Sequence, residues 1–487
     1  MNNTLLDGLN KEQKNAVTAS LDRHILILAG AGCGKTTVLT RRIAFLVESG
    51  IDPGKILALT FTRKAADEMA SRVSRLLCAQ KFDKLPVITT FHGFALKVLS
   101  GSFDKADHFS DIGFQPNPRL INEKERLGKL VSLTTTLERK MLRSDLFGID
   151  SLLAQKAVFP ERLSKLDKSQ SDLLNSIERR LQEDKESSGL WDFSDLLAGT
   201  LRLFRCKPSI AEFFALKFRV ILIDEFQDTN PVQITLLKAL LADNKYLFAV
   251  GDDDQAIYAF RGADIRPTLE FCSHFKGAEV LKLQINYRST PSVLKSANKI
   301  NSDKPAAYRK ILVSGKCRTG SGPVPSAHAF DDQEQMLSWI LKKASLISTI
   351  ENVLIPSMAV LFRLNRSLQW VSEYLEKRSI DSEKFPALLT VHKSKGLEFP
   401  VVFLCDMEES VFPNYQPNSV PKPRNANEFL LGLFKAPQID CNWDEEKRIF
   451  YVAVTRAEKH LFFLSVRRKE VYGRKKSFRP SRFLKMI

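Results

Sequence analysis

A glycine-rich stretch, Ala29, Gly30, Ala31, Gly32, Cys33, Gly34, Lys35, Thr36 and Thr37, follows the apolar run ILIL at 25–28. Glycines let backbone N–H groups converge on phosphate oxygens, and a helix beginning near the lysine points its positive end at them. Lys35 is then placed to reach the outer phosphates of a nucleoside triphosphate, and the Thr36 hydroxyl to hold Mg²⁺. Ala29 replaces the first glycine usual in this pattern, but strand, loop and helix come in the required order. A second apolar run, VILI at 220–223, ends in Asp224-Glu225. Asp224 suits a metal ion and Glu225 an attacking water, so the chemistry implied is hydrolysis of a phosphoanhydride. Asp228 fits helix capping better.

Residues 251–262, GDDDQAIYAFRG, put three carboxylates and Gln255 beside Tyr258, Phe260 and Arg261. Gln255 can hydrogen-bond a terminal phosphate, while the two rings offer flat faces to unstacked bases. A polar turn whose rings pack into a core competes with that coupling role. Charge developing on a departing phosphate also calls for cations. Arg288 in INYRST and Arg456 in RIFYVAVTRAEKH are the candidates, although a lone arginine is more commonly a surface residue.

These residues need a scaffold, and the chain supplies two sets of short apolar runs alternating with helical patterns. The first comprises 25–29, 56–60, 87–90, 218–224 and 246–251; the second comprises 279–283, 358–362, 401–405 and 461–465. They predict an α/β protein with two parallel-sheet domains. Between Ser100 and Gly189 strand signals give way to charged amphipathic patterns, predicting a helical insertion. The expected organisation is 1–99 and 190–275 for the first domain, 100–189 for the insertion and 276–487 for the second domain. The Pro- and Asn-rich stretch 409–442 reads as a long loop holding a short helix.

The balance of 73 Lys+Arg against 56 Asp+Glu, net +17, points to a polyanionic partner without choosing between DNA and RNA. The basic tail 466–485 either meets a nucleic-acid backbone or is ordinary solvated surface. The seven scattered cysteines form no close pair, which argues against a disulfide framework or a zinc site and for reduced core thiols. With neither an apolar run of spanning length nor a secretion signal, the expected location is the cytoplasm.

Taken together, LNKEQKNAV, AGAGCGKTT, TFTRKAADEM, TTFHGFAL, DFSDLL, ILIDEFQDTNPVQ, VGDDDQAIYAFRGAD, LQINYRST, VLFRLN, TVHKSKGLEF, EEKRIFYVAVTRA and PSRFL carry a family likeness. In this order, over nearly the whole length, it resembles the UvrD/Rep/PcrA group of superfamily 1 DNA helicases. The resemblance implies two RecA-like P-loop domains with ATP and Mg²⁺ in the cleft between them and single-stranded DNA across their top. It implies movement 3′ to 5′ and displacement of a strand from a tailed duplex. It assigns Gln13 to the adenine edge, Tyr287 to the adenine face, Glu398 to the ribose, and Arg288 and Arg456 to fingers from the opposite domain. It places Phe61, His92, Tyr258, Phe260 and Arg261 along the DNA, with His392 and Lys393 near its backbone; for Phe61 and His92, packing in the core is the alternative.

Several positions depart from the family. Thr37 stands where many relatives have arginine, Arg63 where asparagine is usual, and Phe260 where tryptophan is usual. Only about 25 residues, 365–390, occupy the place of the family's large accessory domain, whereas 412–445 is longer than usual. A motor that unwinds poorly is one consequence. A nucleotide-gated subunit bound to a nuclease is another.

Overall fold

The computed structural model describes residues 3–77, 84–135, 153, 168–241, 246–259, 263–305, 308–315, 320–381, 384–414, 443–471 and 474–487. Six strands form the first sheet: β1 Ile25–Ala29, β2 Ile56–Thr60, β3 Val87–Thr90, β4 Val220–Ile223, β5 Tyr246–Gly251 and β6 Glu279–Leu283. Their spatial order is β3-β2-β4-β5-β1-β6, and every pairing is parallel. Five strands form the second sheet: β7 Ser326–Phe330, β8 Ala359–Phe362, β9 Ala387–Thr390, β10 Phe399–Leu404 and β11 Ala457–Val466. Their order is β7-β11-β10-β8-β9, again all parallel.

The continuous apolar runs follow from burial on both faces of each sheet. In β1, Ile25, Ile27 and Ala29 join one hydrophobic cluster while Leu26 and Leu28 join another, as the two-residue strand period requires. The first cluster also holds Leu361, Val402 and Phe450, so the facing sides of the two units share one core. The outer face of the second sheet is covered by the helices Gln333–Glu351 and Asn365–Lys377, through Leu337, Ile340, Val371 and Leu375.

The run 279–283, expected in the second unit, is instead the edge strand of the first, with Ile25 opposite Glu279 and Ala29 opposite Leu283. An apolar run carries no record of which parallel neighbour it will find. Among the described residues the insertion holds the helices Glu123–Thr135 and Lys168–Ser187, which agrees with the amphipathic patterns. It also holds a short strand, Arg119–Leu120, paired with Leu190–Trp191, where no strand was expected. Among the described residues between β8 and β9, the single α-helix Asn365–Lys377 stands in the place of an accessory domain. Most of 409–442, with the short helix expected in it, lies outside the described residues, as do Phe260 and Arg261.

The basic tail divides differently from either expectation. Residues Arg468–Val471 and Arg474–Ser477 form a hairpin. Lys469 is buried against Asp406 and Glu408 at 2.9 and 2.6 Å, and Arg482 pairs with Glu409, so part of its charge is satisfied within the fold. Of the four described cysteines, Cys33 and Cys405 are buried while Cys206 and Cys272 are exposed; all are free thiols.

Candidate active site

Strands β4, β5 and β1 are consecutive in the first sheet, so the segments leaving their carboxyl ends must be neighbours. Those segments are 224–228, 252–255 and the glycine loop 30–34. The helix Lys35–Glu48 starts at Gly34 with no side-chain cap, which leaves its first N–H groups for an anion. Gly32 and Gly34 have φ of +67° and +85°, and a Cβ on either would come within 2.6–2.8 Å of Asn286, Arg288 or Gln13. The loop therefore has to be glycine at both positions.

Around this loop the structure gathers most of the residues expected at a nucleotide. Gln13 completes a capping box with Asn10 and donates from Nε2 to the Cys33 carbonyl at 3.0 Å. Asn10 donates to the Tyr287 hydroxyl at 2.7 Å, and Tyr287 N–H donates to the Gly32 carbonyl at 3.0 Å. Lys35 stands 3.9 Å from Asp252. Asp252 accepts from Gln255 Nε2 at 2.5 Å, and Gln255 Oε1 accepts from Arg456 Nη2 at 3.1 Å. Thr36 and Thr37 lie in the first turn, where both carbonyls accept from the Thr40 hydroxyl.

Arg456 is buried and also donates to the carbonyls of Leu397 and Val452 at 2.9 and 3.1 Å, so it is not a surface arginine. Burial and the neighbouring Arg288 pull its guanidinium down to about 9. Arg288 donates to the Thr455 carbonyl at 3.1 Å and to Glu398 at 2.6 Å. Glu398, expected at a ribose, thus already holds one of the arginines.

The acids differ in state. Burial, then the adjacent Glu225, pushes Asp224 up to about 7, against the pull of Lys35. Burial also works on Glu225, yet Lys35 and Lys395 bring it below its ordinary value. Burial opposes ionisation of Asp252 too, but Lys310 and Lys35 bring it down to about 2. Glu225 sits at φ +51°, an uncommon backbone for a glutamate at the end of a strand, and accepts from Gln227 at 2.5 Å. Asp228 is not a helix cap: it is buried and pairs with Lys395 at 2.6 Å.

Donor types fit the groups the sequence implies. An uncapped helix end with Lys35 beside it suits phosphate, and the oxygens of Thr36 and Asp224 suit a hard divalent cation. The buried Asp224 and Asp228 and the half-buried Glu225 crowd around Lys35 and Lys395, and burial with like charge raises Asp224 and Asp228, a cost that such a cation would relieve.

The aromatic residues separate into two places. Phe61 and Tyr258 are stacked, with ring centroids 5.4 Å apart and planes 14° apart, and Lys395 Nζ lies 4.7 Å from the Tyr258 ring centre. Both rings are half-buried, so the pair belongs neither to the core nor to an open surface. His92 lies apart from them, edge-on to the exposed Phe193 at 5.8 Å, and burial lowers its pKa. His392 and Lys393 occupy the loop after β9, with Lys393 exposed. Asn286, Lys304, Lys310 and Lys395 also meet the site, beyond the residues expected there. Asn286 bonds the Ala31 carbonyl at 2.6 Å, and Lys395 Nζ donates to the Gln255 carbonyl at 2.8 Å. Lys395 lay within KSKGLEF and could have been noticed there; the others carry no local signal.

Two parallel sheets sharing a core, with a phosphate loop on one and the buried Arg456 from the other, define a P-loop protein whose site is completed across two units. The comparisons give that class its family. Residues 9–276 match the UvrD/REP helicase N-terminal domain, and residues 281–386 and 383–468 match the UvrD-like helicase C-terminal domain. The chain belongs to the UvrD-like helicase family. A protein of Mycoplasma pneumoniae described as a probable DNA helicase is 33% identical over 491 positions, covering 99% of this chain and 87% of the relative. The ATP-dependent DNA helicase PcrA of Bacillus subtilis is 32% identical over 390 positions, covering 78% of this chain and 51% of the relative. PcrA of a Staphylococcus epidermidis strain is 26% identical over 659 positions, covering all of this chain and 87% of the relative, so it carries residues that this chain lacks. Among the described residues no helix is long and apolar enough to cross a membrane.

Proposed function

We propose that this chain is an ATP-dependent DNA helicase that moves 3′ to 5′ along single-stranded DNA. The observation that carries it is a continuous path: Lys35, Asp252, Gln255 and Arg456 on the nucleotide side, then the Gln255 carbonyl, Lys395 and the Tyr258–Phe61 stack. A change at the phosphates thereby has a mechanical route to rings on which bases can stack. The polarity rests on the family resemblance alone.

In this reading the glycine loop and Lys35 bind the phosphates of ATP, Gln13 and Tyr287 hold its base, and Thr36 and Asp224 hold Mg²⁺. Mg²⁺ supplies positive charge at the phosphate oxygens when bound. Glu225 orients the attacking water and takes its proton. Arg288 and Arg456 stabilise the charge that develops on the leaving phosphate, and Gln255 registers its presence. Tyr258 and Phe61 hold the bases, joined by Phe260 and Arg261, while His92, His392 and Lys393 line the strand. The short connection between β8 and β9, with the helix Asn365–Lys377 in it, supports a second expectation, that translocation is more robust than unwinding.

Strand displacement from 3′- and 5′-tailed duplexes, run beside DNA-stimulated ATP hydrolysis, tests the proposal. Stimulation with displacement from the 3′-tailed duplex alone is expected. Displacement only from the 5′-tailed duplex overturns the polarity, and hydrolysis indifferent to DNA overturns the motor.

A further inference from the structure

Three consecutive carboxylates, Asp252, Asp253 and Asp254, lie buried at the end of β5, with ligand oxygens within 4.8 Å of one another. Such an arrangement is unstable without compensating charge. A lysine far along the chain provides it. Lys310 Nζ lies 2.9 Å from Asp252 Oδ1 and 2.9 Å from Asp254 Oδ2 and also pairs with Asp253, and its side chain is 0% exposed. Lys304 reinforces it, 2.7 Å from Asp253 and paired with Asp254, but it is 23% exposed.

The segment that carries Lys310 runs beside the end of β6, where Ile311 and Val313 N–H donate to Gln284 at 3.0 Å each, and it is fastened on its other side to the second unit. Leu312, two residues on, exchanges backbone hydrogen bonds with the Asn298 side chain at 2.8 and 2.9 Å, and Asn298 lies on the helix Pro291–Ile300. That helix buries Val293, Leu294, Ala297 and Ile300 in the same core as Phe450 of the helix Trp443–Val454. Lys447 of the latter pairs with Asp303, and Arg456 follows that helix directly. The cation that holds the acidic loop and the arginine that meets Gln255 are thus carried by one packed pair of helices.

We propose that Lys310 is a positioning residue that ties the 252–258 loop to this helix pair, so that occupancy of the Tyr258–Phe61 rings by DNA changes the placement of Gln255 against Arg456. The inference rests on the DNA-motor reading above and names the contact through which its two ends communicate. A side chain that served only to neutralise buried charge could be replaced by removing the charge; a tie could not.

That difference sets the experiment. Lys310→Met alone leaves three carboxylates facing Lys304 and Lys35, and a large fall in melting temperature is expected. Lys310→Met/Asp253→Asn removes one charge of each sign and is expected to melt near the wild-type temperature. ATP turnover is measured for the wild type and the double variant, with and without single-stranded DNA, well below the melting point. The double variant is expected to lose about 10-fold in the ratio of stimulated to basal turnover, in the range for residues that carry coupling. A wild-type ratio in the double variant overturns the inference, as does an equal loss of basal and stimulated turnover. A wild type whose hydrolysis ignores DNA overturns the motor reading itself, and this inference with it.

Discussion

The two units bring opposite charges to one cleft. The carboxyl ends of the first sheet's inner strands present acids: Asp224, Glu225, Asp228 and Asp252–Asp254. The segments that follow β6 present cations: Arg288, Lys304, Lys310, Lys395 and Arg456. Lys310 and Lys35 bring Asp252 down to about 2 despite burial. Elsewhere burial prevails: Asp224 rises to about 7, Asp228 to about 6 although Lys395 faces it, and Asp254 rises although Lys310 and Lys304 face it. The difference teaches that neither half is electrostatically complete alone. The acids hold their charge only insofar as the second unit, a metal ion or Lys35 supplies the opposite one.

If the halves divide the work between binding and chemistry, their variants separate. Lys35→Ala is expected to abolish hydrolysis and weaken ATP binding together, since the lysine belongs to the phosphate cradle. Arg456→Ala is expected to lower kcat roughly 10³-fold, with ATP affinity changed only a few-fold, as for an arginine finger. Single-turnover hydrolysis and equilibrium binding of a fluorescent ATP analogue measure both. Because Arg456 also bonds two carbonyls, the variant's melting curve is recorded beside them. Arg456→Ala with near-normal kcat in a folded chain breaks the comparison.

The halves also differed in how far they could be read in advance. The first follows from local sequence, because strand, turn and helix succeed one another within the glycine loop, and because Asp224-Glu225 ends a buried apolar run. Even there, the strand at 279–283 pairs with β1 and not with the second sheet, since parallel pairing is decided by a crossover and not by the strand's own residues. The second half was legible only as two arginines. Lys310 sits 56 to 58 residues from its three partners. No spacing rule joins residues that distant, and the lysine is recognised only once helix Pro291–Ile300 packs against the cleft. Glu398 shows the opposite difficulty: its motif was plain, but its partner in the structure is Arg288.

The strain on the acidic side gives a sharper test of smaller size. The Asp224 value of about 7 lies above its ordinary 3.8, so the folded chain binds that proton more tightly than the unfolded chain. The resulting cost to stability is absent below about pH 4, grows as pH rises and is complete above pH 7. Asp224→Asn removes it. The variant without metal or nucleotide is expected to be inactive yet about 2–4 kcal/mol more stable than the wild type at pH 8, with the gain vanishing at pH 4. Urea denaturation at the two pH values measures it. A variant less stable than wild type at pH 8 shows that Lys35 already compensates this acid.

The smallest expected effect lies where the halves meet over the aromatic pair. Tyr258 comes from the first unit and stacks on Phe61, while Lys395 from the second lies over its ring. In a core turn those contacts would be packing, and truncation would lower stability. In a base platform they hold the ring's orientation, and truncation removes a stacking surface worth about 1–3 kcal/mol per base. Tyr258→Ala is therefore expected to raise the DNA concentration for half-maximal stimulation about 10-fold, with a smaller shift in melting temperature than a core truncation gives. Tyr258→Phe, which keeps the ring, is expected to stay near wild type. Should Tyr258→Ala instead melt several degrees lower with DNA affinity intact, the stack is packing, and the path from Gln255 ends at Lys395.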